Sequence, residues 1–200
     1  MAVRWRTGKS GREPAAMLRI LSQRRDRRKA AERIYAVSTE AARHPALFRD
    51  YGVPDTLQGR FESLTLHLFA ILHRLMHDPG DDPALARLIS ESLVTHMDAT
   101  FREMGVGDTI VPKRMNALYQ SFAVRIDAYT RAWEEGDEAL AAAIGRNVFP
   151  DGGEKADAAA LCAYLKAAVA AVREMPLDDL RNGARPFPEP PPFGTRERHG

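Results

Sequence analysis

VPDTLQGRFESLTLHLFAILHRLMH, residues 53–77, is the stretch on which the fold turns. Leu57, Phe61, Leu64, Leu68, Ile71, Leu72 and Leu75 recur at helical spacing as one apolar stripe, and Leu66 and Phe69 carry apolar surface further around the cylinder. A helix that is apolar on more than one side must be covered on more than one side, so this one is expected to be central. Its start is marked by Asp55 with Gln58 three residues on, the form of a capping box, and by Val53 as a staple residue. Gly59, small and near the start, is expected to let a neighbouring helix come close.

Working outward, Ala30, Ile34, Val37 and Ala41, with Tyr35 alongside, predict a helix from about residue 27 to 43, ended by His44-Pro45. A short helical patch follows around Leu47 and Phe48. Beyond the breaker at 78–83, Leu85, Leu88, Ile89, Leu93, Met97, Phe101 and Met104 predict a second long amphipathic helix. Met115, Leu118, Phe122, Ile126 and Tyr129 predict a third, running to about Trp133. Asp137 is placed to cap a shorter helix with Leu140 and Ile144, and a last helix from about 156 to 174 turns Leu161, Leu165, Val169 and Val172 inward until Pro176 stops it.

β-branched residues rarely alternate with polar ones, and no repeat of solenoid length is present. The expectation is all-α: a single irregular multi-helix bundle over residues 17–182. A disordered extension, residues 1–16, precedes it as part of a basic N-terminal arm. A Pro-rich tail, residues 183–200 and including RPFPEPPPF, is expected to be extended and mobile.

The segment REMGVGDTIVPKRM, residues 102–115, joins the second and third long helices. Gly105 suits a helix C′ position, and Gly107 permits a second turn. Asp108 can accept backbone N–H groups ahead of the next helix, and Pro112 fits a first turn, where its missing donor costs nothing. Lys113 and Arg114 follow. Asp98 and Arg102, four apart, can pair across one turn.

Charge is uneven along the chain. Residues 1–33 hold eleven Lys or Arg against three acidic residues, a surplus of eight, so the formal net charge of +2 leaves minus six for the rest. Arg24, Arg25, Arg27, Arg28 and Lys29 form the densest part, a run suited to ribosomal RNA or anionic lipid headgroups or, more blandly, to a solvated face. Nothing points to DNA.

Several chemistries find no support. GVGD lacks the lysine, the spacing and the preceding strand of a phosphate-cradling loop. His73 and His77 share a helical face without a further ligand cluster, so no metal or cofactor is expected. His67 on the apolar stripe reads as a hydrogen-bonded core histidine, and Cys162 in an Ala-rich pattern reads as a small core residue. Leu64 to Met76, the most apolar window, is interrupted by two histidines and Arg74 and is too short to span a bilayer. No secretory h-region is evident, and a cytoplasmic protein is expected, peripheral on the inner membrane's cytoplasmic face or, as the alternative, in a mitochondrial matrix.

Taken in order, residues 53–69, residues 93–115 (LVTHMDATFREMGVGDTIVPKRM), Arg125 with Tyr129, and Arg146-Asn147 resemble the ubiquinol-cytochrome c chaperone family, which includes the Cbp3-type assembly factors. The likeness spans about residues 17–149, and Met17 with the following LRILSQRRDRRKAAERIY resembles the usual family beginning. It implies a non-enzymatic helical chaperone for assembly of the bc1 complex, with newly made cytochrome b as client and a small partner subunit in some members. On this reading a groove between the 55–77 helix and the helices flanking residues 105–108 holds the client. Its expected contacts are Arg60, Asp98, Arg102, Asp108, Lys113 and Arg114, with Phe61 and Phe101 as floor. The alternative is a helical adaptor that binds a ribosome or membrane surface through the basic arm, without a cytochrome b client.

Overall fold

The computed structural model describes residues 14–78, 82–103, 111–152 and 157–191. These form α1 (Pro14–Ala42), α2 (Pro45–Arg49), α3 (Leu57–His77), α4 (Pro83–Glu103), α5 (Val111–Glu135), α6 (Asp137–Val148), α7 (Ala158–Glu174) and α8 (Leu177–Arg181), with no strand among the described residues.

Helix α3 is central, as its two-sided apolar pattern requires. It packs against α1, α4, α5, α6 and α7. Leu68, Phe69, Ala70 and Ile71, four consecutive residues, are fully buried, which only a helix covered all round can achieve. The N-cap falls on Thr56 rather than Asp55: the Thr56 hydroxyl accepts from Gly59 N at 3.1 Å. Asp55 instead pairs with Arg60 at 2.7 Å, and Gln58 donates to Glu62 rather than closing a capping box. Gly59 does permit close approach, but of a loop. A Cβ there would stand 1.9 Å from the Pro54 carbonyl oxygen.

Helix α1 begins at Pro14, well ahead of the residue 27 suggested by periodicity. No periodic stripe marks residues 21–29, which are all exposed, and burial starts at Ala30. Proline at the first helical position, followed by Ala, Leu, Gln and Arg, supplies the start and the propensity. The basic cluster therefore lies on a helix. Residues 1–13, most of the expected disordered extension, fall outside the described residues.

The second half of α1 packs on α3, α4 and α8. Tyr35 stacks on His96 of α4 with ring centroids 4.6 Å apart, and His96 Nε2 lies 2.9 Å from Glu32. Burial raises the Glu32 carboxyl, but hydrogen bonds from His96 and Ser92 outweigh it and leave the group below its ordinary value. The buried Asp82 carboxylate caps α4 by accepting from Leu85 N at 3.1 Å and receives Arg27 of α1 at 3.2 Å and Arg181 of α8 at 3.0 Å.

A single residue, Gly136, separates α5 from α6, and its φ of 114° is open to glycine alone without strain. Asp137 is the first residue of α6 rather than its cap, and pairs with Lys166 of α7 at 2.5 Å. Asp157 caps α7 through Ala160 N at 2.7 Å. Cys162 is buried in α7, as its surroundings suggested. Helix α8 was not foreseen; it is five residues long and sits down through the fully buried Leu180. The described part of the Pro-rich segment forms neither helix nor strand and lies on the body, with Pro186 and Pro190 buried. Residues 192–200 are outside the described residues.

Candidate functional site: an apolar groove between three helices

Three stripes at helical spacing meet beside the core without closing on one another. Helix α3 contributes Phe69, Leu72, His73, Met76 and His77; α4 contributes Pro83, Ala86, Arg87 and Ser90; α5 contributes Tyr119, Phe122, Ala123, Ile126, Asp127 and Thr130. They enclose an open groove of about 460 Å³. Its floor is core: Phe69 and Phe122 are buried at 0% and 3% exposure. Met76 and Tyr119 on its rim are exposed at 53% and 47%, two large side chains that leave apolar surface in water. Arg87 and Asp127 add one charge of each sign to the lining.

One wall is aromatic. His73 packs against Trp133 with ring centroids 5.0 Å apart, against Phe69 at 5.4 Å, and stacks on His77 at 4.8 Å. Burial pushes the His73 imidazole down to about 4, and the neighbouring His77 and Arg173 act in the same direction. His73 is thus a neutral ring at neutral pH, in keeping with an apolar wall. His77 Nδ1 bonds to the His73 carbonyl at 3.0 Å. Among the described residues no group of three or more His, Cys, Asp or Glu side chains could hold a metal ion, and no helix is long and apolar enough to cross a membrane.

The groove lies between the helices named from sequence, and its lining does not include Arg60, Phe61, Asp98, Arg102, Lys113 or Arg114, the expected contacts whose side chains are described. Arg60 is exposed at the start of α3 and held by Asp55. Phe61 is buried, with the Arg125 guanidinium over its ring at 5.5 Å. Asp98 and Arg102 do pair, at 2.8 Å on the exposed side of α4. Lys113 and Arg114 are exposed in the first turn of α5, where Pro112 also sits. Gly105, Gly107 and Asp108, and the side chain of Phe101, are outside the described residues. In the basic cluster Arg24, Arg25, Arg28 and Lys29 are exposed, while Arg27 is engaged by Asp82.

A buried polar knot between α3 and α5 was missed. Glu62, the one acidic residue of α3, receives the Arg125 side chain through Nε at 2.7 and 2.8 Å and through Nη2 at 2.6 Å. Ser121 accepts from the same guanidinium. Burial raises the Glu62 carboxyl, against the hydrogen bonds from Arg125 and Gln58. Tyr129 is fully buried, and burial and the Glu62 charge both push its phenol upward. The lone carboxylate within an apolar helix was the available signal.

His67 occupies the core as its stripe position suggested. Its Nδ1 lies 2.7 Å from the Ser63 carbonyl, a proton acceptor, so the proton sits on Nδ1 and Nε2 accepts from the Tyr164 hydroxyl at 2.9 Å.

A family model for the ubiquinol-cytochrome C chaperone matches residues 49–187. The chain is 26% identical over 119 residues to ubiquinol-cytochrome-c reductase complex assembly factor 1 of Xenopus laevis, and 28% identical over 120 residues to its counterpart in Mus musculus. Both matches cover 60% of this chain, but it spans 60% of the Xenopus protein and 41% of the mouse one. The crystal structure of the Cbp3 homolog from Brucella abortus matches with a TM-score of 0.73 at 34% identity, covering 87% of this chain and 97% of that one.

Proposed function

The chain belongs to the ubiquinol-cytochrome c chaperone family, and from that premise we propose that it shelters newly made cytochrome b during assembly of ubiquinol-cytochrome c reductase. The groove between α3, α4 and α5 is the holding site, and the observation that carries this reading is the solvent exposure of Met76 and Tyr119 over a buried aromatic floor. A flexible thioether and an amphipathic ring adapt to apolar segments of varied shape, as a helix-in-groove contact requires. No bond is made or broken in this role; the groove withholds apolar surface from aggregation until other subunits cover it.

The exposed half of α1 favours a second, compatible role. Arg24, Arg25, Arg28 and Lys29 are exposed, a cluster of charge suited to a ribosomal or anionic membrane surface.

The experiment is a photocrosslinker at position 119, carried through affinity capture and mass spectrometry in the native host. Crosslinks to unassembled cytochrome b, absent when the mature complex alone is present, are the expected result. Crosslinks to other proteins only, with normal levels of the reductase in a deletion strain, would show the reading to be wrong.

A further inference from the structure

Residues 185–191, reading RPFPEPP, form neither helix nor strand and still lie against the body. The last backbone-to-backbone bond at this end among the described residues runs from Ala184 N to Asp179 O, and none joins 185–191 to a helix. The segment is held by side chains instead. Pro186 and Pro190 are buried. Phe187 meets the His67 ring edge-on, with centroids 4.9 Å apart at 74°. Arg185 pairs with Glu40 of α1 at 2.6 Å, and the Tyr51 hydroxyl donates to the Pro191 carbonyl at 3.2 Å.

These are the contacts of a bound peptide rather than of a secondary-structure element. Proline fixes φ and cannot donate, so a Pro-rich stretch loses little freedom on docking and leaves its carbonyls free for hydroxyl donors. Aromatic-lined grooves take such segments in this way. The receiving face is aromatic: Tyr51 and Tyr164 lie 6.1 Å apart, and Tyr164 is fixed by His67. The face is also larger than its occupant. A space of about 240 Å³ remains between the segment and Val37 and Ala41 of α1, with His44 at the start of α2.

We propose that this face of α1, α3 and α7 is a docking groove for an extended peptide with an aromatic residue between prolines and a basic residue before them. Residues 185–191 fill it as a ligand in cis, and a partner carrying such a segment competes with them. Because the occupant is tethered, its effective concentration is of millimolar order, and only a partner of higher affinity or local concentration displaces it. The inference is independent of the groove between α3, α4 and α5.

The test is fluorescence anisotropy with a labelled peptide of residues 184–191, against the full chain, the chain ending at Ala184, and the full chain with Phe187→Ala. Binding to the shortened chain is expected to be at least about tenfold tighter than to the full chain, with Phe187→Ala between them. A peptide carrying Phe187→Ala should lose most of that binding. A shortened chain that keeps its helical circular dichroism but does not bind the peptide overturns the proposal. So does one that loses its helices, since a segment needed for the fold is not an exchangeable ligand. Phe187→Ala then serves as the folded control, and equal peptide binding by it and the full chain is a further contrary result.

Discussion

Glu62, 1% exposed, accepts the Arg125 guanidinium with both carboxylate oxygens, locking α3 to α5 across the end of the core. Two charges taken out of water repay their desolvation only while both are present. Arg125→Met should therefore cost about 3–5 kcal/mol, because it strands a buried carboxylate. The double variant with Glu62→Leu should recover much of the loss. Urea unfolding of the two single variants and the double variant measures this, and an additive result would show that the pair is not coupled.

Gly59 is where the chain entering α3 presses on the helix itself. Gly59→Ala puts a methyl group on the Pro54 carbonyl, which is backbone and cannot swing away. A loss of about 1–3 kcal/mol is expected in chemical denaturation, typical of overpacking. A neutral result would mean that the loop before α3 moves freely.

Stability should fall on acidification through His67. Its imidazole is lowered from 6.5 to about 4, with burial as the main cause. The unfolded chain then takes up a proton that the folded chain refuses. Stability is full above pH 6.5 and declines as pH falls toward 4, by about 2 kcal/mol at pH 5 from this group alone. His73, also lowered to about 4, adds in the same direction. His67→Gln should flatten the dependence between pH 7 and 5, read from unfolding midpoints at each pH.

Met76→Asp and Tyr119→Asp alter exposed positions, so each should leave stability within about 0.5 kcal/mol. Complementation of a deletion strain with either should nonetheless lower the assembled reductase. Full complementation by stable variants would remove the groove from the mechanism.

Asp82 has two separable duties. Asp82→Asn keeps a capping oxygen for Leu85 N and removes the charge that holds Arg27 and Arg181. Asp82→Ala removes both, and should cost roughly 1 kcal/mol more, the usual worth of a cap. Comparison of the two melting curves isolates the cap.

Much of the fold was legible in sequence because it is written locally. The stripe from Phe61 to Leu75 placed α3 at the centre, although Leu57, read as its first member, is exposed, and His44-Pro45 ended α1 where it does end. What local pattern misses is whatever depends on a distant partner. Thr56 takes the cap while Asp55 pairs with Arg60, an arrangement the capping-box spacing could not reveal. The RPFPEPPPF composition resembles a free tail until His67 and Tyr51, far away in sequence, receive its ring and its carbonyl. In the groove, the helices could be named from spacing. Among the described residues, the charged ones favoured as contacts, Arg60, Asp98, Arg102, Lys113 and Arg114, are not part of its lining, because charge near a loop shows where a helix ends and not which way it looks.

The Asp82 clasp has a consequence for the order of events at the ribosome. Arg27 and Arg181 are far apart in sequence, yet they close on one carboxylate. Helix α1 is made before α8, so the clasp cannot close until residue 181 has been added. The basic helix thus waits for α8 before its fastening is complete, and the arrival of α8 is registered at a single oxygen.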